Sequence, residues 1–383
     1  MRGLCPPTRR TTQGAATTVV TSKERVKAAI SFEPVDRLPT LWSILPGAIV
    51  RYGDALAEIC RQYPDDFGTG GPDFRGWPNY ELPPDYRVGE WTDIWGVTWR
   101  MAQDGIVGIP VTHPLADDEA FQTYQPPPRA NPDEIRKQAE AIAASNPKHF
   151  VSAGGGNLFE VMQRLRGYDN LMMDLALDRP QAYRVRDLVK DYFLSFVREW
   201  CKYDCIDCIA YGDDWGTQRA LIIHPDTWRR FFKPAYRELF APAVEAGKAV
   251  HFHSDGFTWD IVVDWAEIGV TLYNPQHTIM GHQRWAQTYR GLMAIRTDLD
   301  RQHVLPHGTP AAVRAHVREV IECLGTAEGG LVLHGEVGPD VPLDNVRAMV
   351  EAFMEYGSRD YLDKLPSREE TAGWALREKL GLA

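Results

Sequence analysis

The residues best equipped for chemistry cluster at positions 249–259, AVHFHSDGFTW, where His251, His253 and Asp255 lead into Gly256. If residues 250–253 form a strand, alternation puts His251 and His253 on one side, and Asp255 follows where the strand opens into a loop. Imidazoles and a carboxylate at the carboxyl end of a strand lie where parallel α/β barrels do their chemistry. His251 reads as a hydrogen-bonded core residue, and His253 with Asp255 as the functional pair. The same polar character recurs at other expected strand ends: Asp213 and Asp214, then Asn274 with His277, then His334 with Glu336. Glu160, shortly after the run Gly154-Gly155-Gly156-Asn157, is a further pocket carboxylate. Two adjacent carboxylates are costly to hold together unless a metal, a proton or a cationic substrate offsets them; capping a helix is the other use for either aspartate. Imidazole nitrogens with one or two carboxylates suit Zn(II) with a position left open, although no two of these residues have a local metal-binding spacing.

A second pattern, Cys201, Cys205 and Cys208 in C-x3-C-x2-C, has the spacing of iron–sulfur ligands. Here the first cysteine falls on a helix end and the last enters a strand at its amino-terminal side. Buried, structural thiols are the expectation.

The elements that must position these groups are legible from punctuation and period. Thr21 to Glu24 form a capping box ahead of Val26, Ala29 and Ile30. Asn131-Pro132-Asp133-Glu134 opens a helix to about residue 145, and Thr309-Pro310 opens one that Gly325 closes. Strands are expected at 38–42, 150–153, 208–211, 250–253, 269–273, 292–295 and 330–333, alternating with helices. That alternation predicts a (β/α)8 barrel over residues 21–357, with a doubly wound sheet as the second choice. Residues 77–128, carrying Trp77, Trp91, Trp95 and Trp99 among prolines and glycines, read as a strand-rich excursion able to roof a pocket. Residues 1–20 read as a disordered tail, and 358–383 as an extra C-terminal helical segment that packs on a surface or a partner subunit.

Composition bounds the function. The 383 residues, 44% apolar and 25% charged, suit one large soluble domain. A net charge of -10 with no basic block argues against nucleic acid or an anionic membrane surface, and no apolar run reaches the ~20 residues of a membrane span. Six cysteines in so long a chain do not form a disulfide framework, which suggests a reducing cytoplasm.

Several phrases in order carry a family resemblance: ERVKAAISFEPVDRLP from Glu24, Asp93-Ile-Trp-Gly96, LRGYDNLMMDLALDRP from Leu165, GDDWGTQ from Gly212, HSDG at His253, NPQH at Asn274 and GPDVPLDNVRAMV from Gly338. Together they resemble the uroporphyrinogen decarboxylase superfamily, in particular its branch related to methylcobamide:thiol methyltransferases. The resemblance implies a TIM barrel, often a homodimer. The decarboxylases hold an acidic tetrapyrrole through R-Q-A-G-R; the matching segment, Trp42 to Arg51, lacks that arginine pair and its bidentate carboxylate contacts. The methyltransferase relatives bind zinc through H-x-C-G and a late cysteine. Here Asp255 replaces that cysteine, and the late ligand falls on His334 or Glu336. Without thiolates the metal keeps more positive charge and could polarise an ether, hydroxyl or carbonyl oxygen as readily as a thiol.

The expected activity is therefore a zinc-dependent methyltransferase moving a methyl group between a small O- or S-methyl compound and a corrinoid, with a corrinoid protein as partner. His253, Asp255, His334 and Glu336 are the expected metal ligands; Asp213, Asp214, Glu160 and His277 the catalytic groups; Trp42, Trp95, Tyr211 and Asn274 the substrate contacts. The alternatives are a metal-free carboxy-lyase using Asp213, Asp214 and His334 as acid and base, and a ligand-binding barrel without catalysis.

Overall fold

The computed structural model describes residues 20–67, 80–145 and 148–382; the expected N-terminal tail through residue 19, and Trp77, lie outside them. The first described helix starts at a capping box. Thr21 Oγ1 accepts from the Glu24 amide while the Glu24 carboxylate accepts from the Thr21 amide, and the helix Ser22–Ser31 follows. Asn131 and Thr309 likewise accept amide hydrogen bonds at the starts of Pro132–Ser145 and Pro310–Leu324.

Seven parallel strands form one curled sheet in the order β1, β10, β9, β8, β7, β6, β5. They are β1 (Thr40–Ile44), β5 (Ser152–Gly156), β6 (Cys208–Gly212), β7 (Ala249–Ser254), β8 (Leu272–Pro275), β9 (Ala294–Arg296) and β10 (Leu331–Val337). Among the described residues the sheet has these seven strands, a curled parallel half-barrel where a (β/α)8 barrel was expected. Between the edge strands β1 and β5 the described residues supply a bridge: the Asp66 amide donates to Thr40, the Asp66 carbonyl accepts from Phe150, and Phe67 pairs with Phe150.

Register decides which side chains share the inner face. Ala210 pairs with His251 and Gly212 with His253; Leu41 pairs with His334 and Ser43 with Glu336. Alternation then sends Trp42, Tyr211, Phe252 and Leu333 outward, where the helices cover them. Phe252 stacks on Trp265 at 3.9 Å, and Tyr211 packs on Phe240.

Within the expected excursion at 77–128, residues 89–110 form an antiparallel sheet of β2 (Gly89–Thr92), β3 (Thr98–Met101) and β4 (Ile109–Pro110). It sits toward the carboxyl ends of the sheet strands. Gly105 rests on Gly47 just past β1, and the Arg164 guanidinium, on the helix Leu158–Arg166 after β5, lies over the Trp99 ring. The C-terminal segment opens with a capping box at Ser367 and ends in the helix Ala372–Lys379, docked on Arg290 and Leu292 ahead of β9, on the opposite side from the polar strand ends. Cys201, Cys205 and Cys208 are free thiols, and burial pushes Cys201 up to about 11 and Cys208 up to about 12. Such protonated thiols are poor ligands.

Asp66 also carries a buried ion network near the sheet's edge. Its carboxylate accepts from Arg25 at 2.7 Å, from Arg37 at 2.8 Å, from Ser22 and from the Thr40 amide. Burial alone would raise its pKa, but Arg37 and the other donors hold it below the ordinary range. A depressed carboxylate stabilises the fold above the unfolded value of about 3.9 and loses that contribution as pH falls through the folded value. Asp66→Ala is expected to cost about 3 kcal/mol by urea titration at pH 7, because it removes the buried carboxylate that pairs with Arg25 and with the partly buried Arg37. The variant's stability should also fall less than that of the wild type between about pH 5 and pH 2.

Candidate functional site

Two loops bring the first acidic residues together. After β6 the chain runs through Asp213, Asp214, Trp215 and Gly216, and after β7 through Asp255 and Gly256. The loops cross at their glycines: a Cβ on Gly256, whose φ is +82°, would lie 2.0 Å from the Gly216 carbonyl oxygen. Only glycine at both positions permits that approach. The Asp255 amide consequently donates to Asp214 Oδ1 at 2.9 Å, and the two carboxylates face one imidazole. His253 Nε2 lies 3.7 Å from Asp214 Oδ1 and 3.6 Å from Asp255 Oδ1. These three side chains have ligand atoms within 4.8 Å of one another, a spacing that fits one metal ion, and Asp255 Oδ1 is buried with no partner.

The imidazole is held in the tautomer a metal needs. Asn274, on β8, donates its amide N–H groups to the carbonyls of Arg296 and Thr297 at 2.9 and 3.2 Å. Its side-chain oxygen therefore faces His253 Nδ1, 2.8 Å away, which must carry the proton. The lone pair of Nε2 points to the two carboxylates. Asn274 is thus an orienting residue, not the substrate contact expected of it.

Arg301, which no strand-end pattern singled out, balances the charge. It pairs with Asp255 Oδ2 and lies 3.4 Å from Glu336. Although burial disfavours its charge, Asp298, Asp255 and Glu336 hold its pKa up. Asp298, at the base of the same loop, is pushed up to about 6, chiefly by burial.

Of the other expected ligands, neither joins this cluster. His334 is buried one layer below: Nδ1 donates to the Thr297 carbonyl and Nε2 accepts from Arg296, both at 2.8 Å, so no lone pair is left. Glu336 reaches the mouth but is held by Arg301.

The expected catalytic set divides likewise. Asp214 joins the cluster. Asp213 turns inward and caps the helix Leu158–Arg166, accepting from the amides of Phe159 and Glu160 at 3.0 and 2.8 Å and from the Tyr236 hydroxyl at 2.6 Å. Burial and then Glu160 push it up to about 8 against those donors. Glu160 is itself raised by burial and paired to Arg164 at 2.8 Å, near Asp214 and His253. His277 is buried outside the mouth: Nε2 accepts from the Asp298 amide, so Nδ1 donates to His282 Nε2 at 3.0 Å, and His282 Nδ1 in turn donates to Glu319 at 3.1 Å. His277 fixes the loop that carries Arg301.

Three expected substrate contacts are structural. Trp42 faces Met349 and Phe353 on the outer side; Tyr211 donates to the Leu239 carbonyl at 2.8 Å; Trp95 anchors the excursion against Tyr192 and Phe193. A large aromatic flanked on its strand by Ala210 and Gly212 was the available signal for the helix-facing side.

His282, His316 and Glu319 form a second group with ligand-like spacing. Its tautomers argue against a metal: His316 Nε2 accepts from the Asp300 amide and His282 Nε2 from His277, so both Nδ1 atoms hold protons. Long-range 15N correlation spectra at pH 7.5, on metal-stripped protein, test this assignment. His253, His277, His282 and His316 should all show the Nδ1–H tautomer, and Asn274→Leu should change His253 alone to a mixture. An Nε2–H signal for His253 in the wild type would overturn the geometry.

Among solved structures, a methyltransferase from Methanosarcina mazei aligns with a TM-score of 0.58 at 18% identity, over 88% of this chain and 99% of that one. An endo-1,4-beta-xylanase from Caldicellulosiruptor owensensis aligns with a TM-score of 0.34 at 14% identity, over 55% and 72%. The first likeness supports the fold. No curated protein matches the sequence. Residues 94–356, more than half of the chain and including β3 to β10, match the uroporphyrinogen decarboxylase (URO-D) family, and the chain belongs to it.

Proposed function

We propose that this protein is a zinc-dependent methyltransferase that moves a methyl group between a small O- or S-methyl compound and a corrinoid carried by a partner protein. The observation that carries the reading is the arrangement of His253 Nε2, Asp214 and the unpartnered Asp255 Oδ1 at one strand mouth. One imidazole and two carboxylates suit Zn(II) and leave positions open for substrate. When bound there, zinc would draw charge from the heteroatom that gives up or accepts the methyl group.

The chain's own residues have separable tasks in this scheme. Asn274 keeps the proton on His253 Nδ1. Arg301 takes one oxygen of Asp255 and leaves the other free, and it neutralises Glu336 beside the pocket. Glu160, half-buried and raised by burial, stands where it could hold a proton close to Asp214. Asp213 fixes the helix that carries Glu160. The carboxy-lyase alternative fits less well, since two of its three acid–base groups, Asp213 and His334, have their polar atoms committed to structure.

The test is metal content by mass spectrometry on freshly purified protein. About one zinc per chain is expected, falling at least tenfold in His253→Ala and Asp255→Ala and unchanged in His316→Ala. Folded wild-type protein without metal, and unable to take up added zinc, would sink this reading.

A further inference from the structure

Arg296 is the last residue of β9 and shares the inner face with His253 and Asn274; successive strands lie about 4.8 Å apart, so its backbone is roughly 10 Å from that of His253. Its guanidinium has one hydrogen-bond partner among the described residues, His334, and no ion pair. Nε is buried without a partner. Glu336 is close enough to act on its charge but is held by Arg301. On the same face His251 Nε2 is also buried and unpartnered. A partly buried cation with a sealed, open donor is costly unless an anion answers it.

There is room for that anion. Across the sheet, Gly154, Ala210 and Gly212 occupy the inward positions of β5 and β6. Gly154 is exposed, and a Cβ built on it would meet no atom within 4 Å. The inner face is therefore open opposite Arg296, while the outward residues of the same strands are closed over by helices.

We propose that Arg296, with His251 Nε2 nearby, binds the carboxylate of a small methyl-bearing substrate, whose methyl group then faces His253, Asp214 and Asp255. The assignment of a methyl-bearing substrate rests on the function proposed above; the anion subsite does not. A monoanion fits better than a phosphate dianion, because Asp214, Asp255 and Glu336 already surround the mouth and the last two share Arg301. Arg296 itself, though burial pushes it down to about 10, is a cation at neutral pH.

Calorimetric titration at low ionic strength tests the subsite with formate, acetate and benzoate, each beside its amide, and with inorganic phosphate. At least one carboxylate should bind, its amide should not, and Arg296→Gln should weaken that carboxylate about 10- to 100-fold while the fold is retained. Arg296→Lys, which keeps the charge without the planar fork, should fall between the two and serves if the glutamine variant does not fold. Carboxylate binding that survives both substitutions, no carboxylate binding by the wild type, or tighter binding of phosphate would overturn the proposal. Binding abolished by His253→Ala but untouched by Arg296→Gln would place the anion on a metal and overturn it as well. Metal content, measured separately, reports on the methyltransferase reading alone.

Discussion

The site depends on the orientation of one buried amide. Asn274 has two donors and one acceptor to distribute, and the carbonyls of Arg296 and Thr297 take both donors. What remains for His253 is an oxygen, and an oxygen can only accept. One side chain thus ties β7, β8 and the end of β9 together and, in the same act, sets which imidazole nitrogen is free. The His277–His282–Glu319 series shows the converse. There the first contact is a backbone N–H from Asp298, a donor, and each ring passes its proton along in the direction that leaves no lone pair for a metal. Two histidine groups with similar spacing are separated by the polarity of a single neighbour.

The clustered carboxylates are tolerable because each has a different counterweight. Asp213 and Asp214 are adjacent in sequence, yet backbone alternation turns them apart. Asp213 meets two helix amides and a tyrosine hydroxyl inside the protein, while Asp214 stays half-exposed at the mouth. Glu160 leans on Arg164, and Asp255 and Glu336 share Arg301. Among the described residues of this face, what stays buried without a partner is small and local: one oxygen of Asp255 on the acidic side, and Arg296 Nε with His251 Nε2 on the other. Opposite charges left open on one face are more informative than the acidic total, because burying either without a partner costs stability that the fold has no structural reason to give up.

Much of this was legible in the sequence. Alternating strands and helices, the capping boxes, the excursion and the mouth positions of His253, Asp255 and Asp214 all follow from local pattern. The join between β1 and β5 was harder to see: Asp65-Asp66-Phe67 has no strand period, and its role as a bridge comes from bonds to Thr40 and Phe150, far apart in the chain. Side was the other hidden quantity. Trp42 and Tyr211 were expected as substrate contacts, but register with β10 and β7 turns them to the helices. His334 and Glu336 share a side yet lie in different layers, so one is consumed by the core and the other by Arg301. Arg301 itself belongs to a loop whose conformation is fixed by His277, and no short-range spacing announces that.

The exchange of a thiolate for Asp255, in the light of the family's H-x-C-G pattern, has a consequence beyond ligand strength. A thiolate offers one atom. A carboxylate offers two, and here they are divided: Oδ2 faces Arg301 and Oδ1 is left toward His253 and Asp214. The arginine withdraws charge from the donor that faces the cluster, so the site would leave a bound metal more electropositive than thiolate ligation does. The same arginine reaches Glu336 and so couples the acidity of the site to the pocket wall. Under the proposed reading this favours polarisation of an oxygen, such as a methyl ether, over stabilisation of a thiolate. It also makes Arg301, rather than any further ligand, the residue that sets how strongly the metal would act.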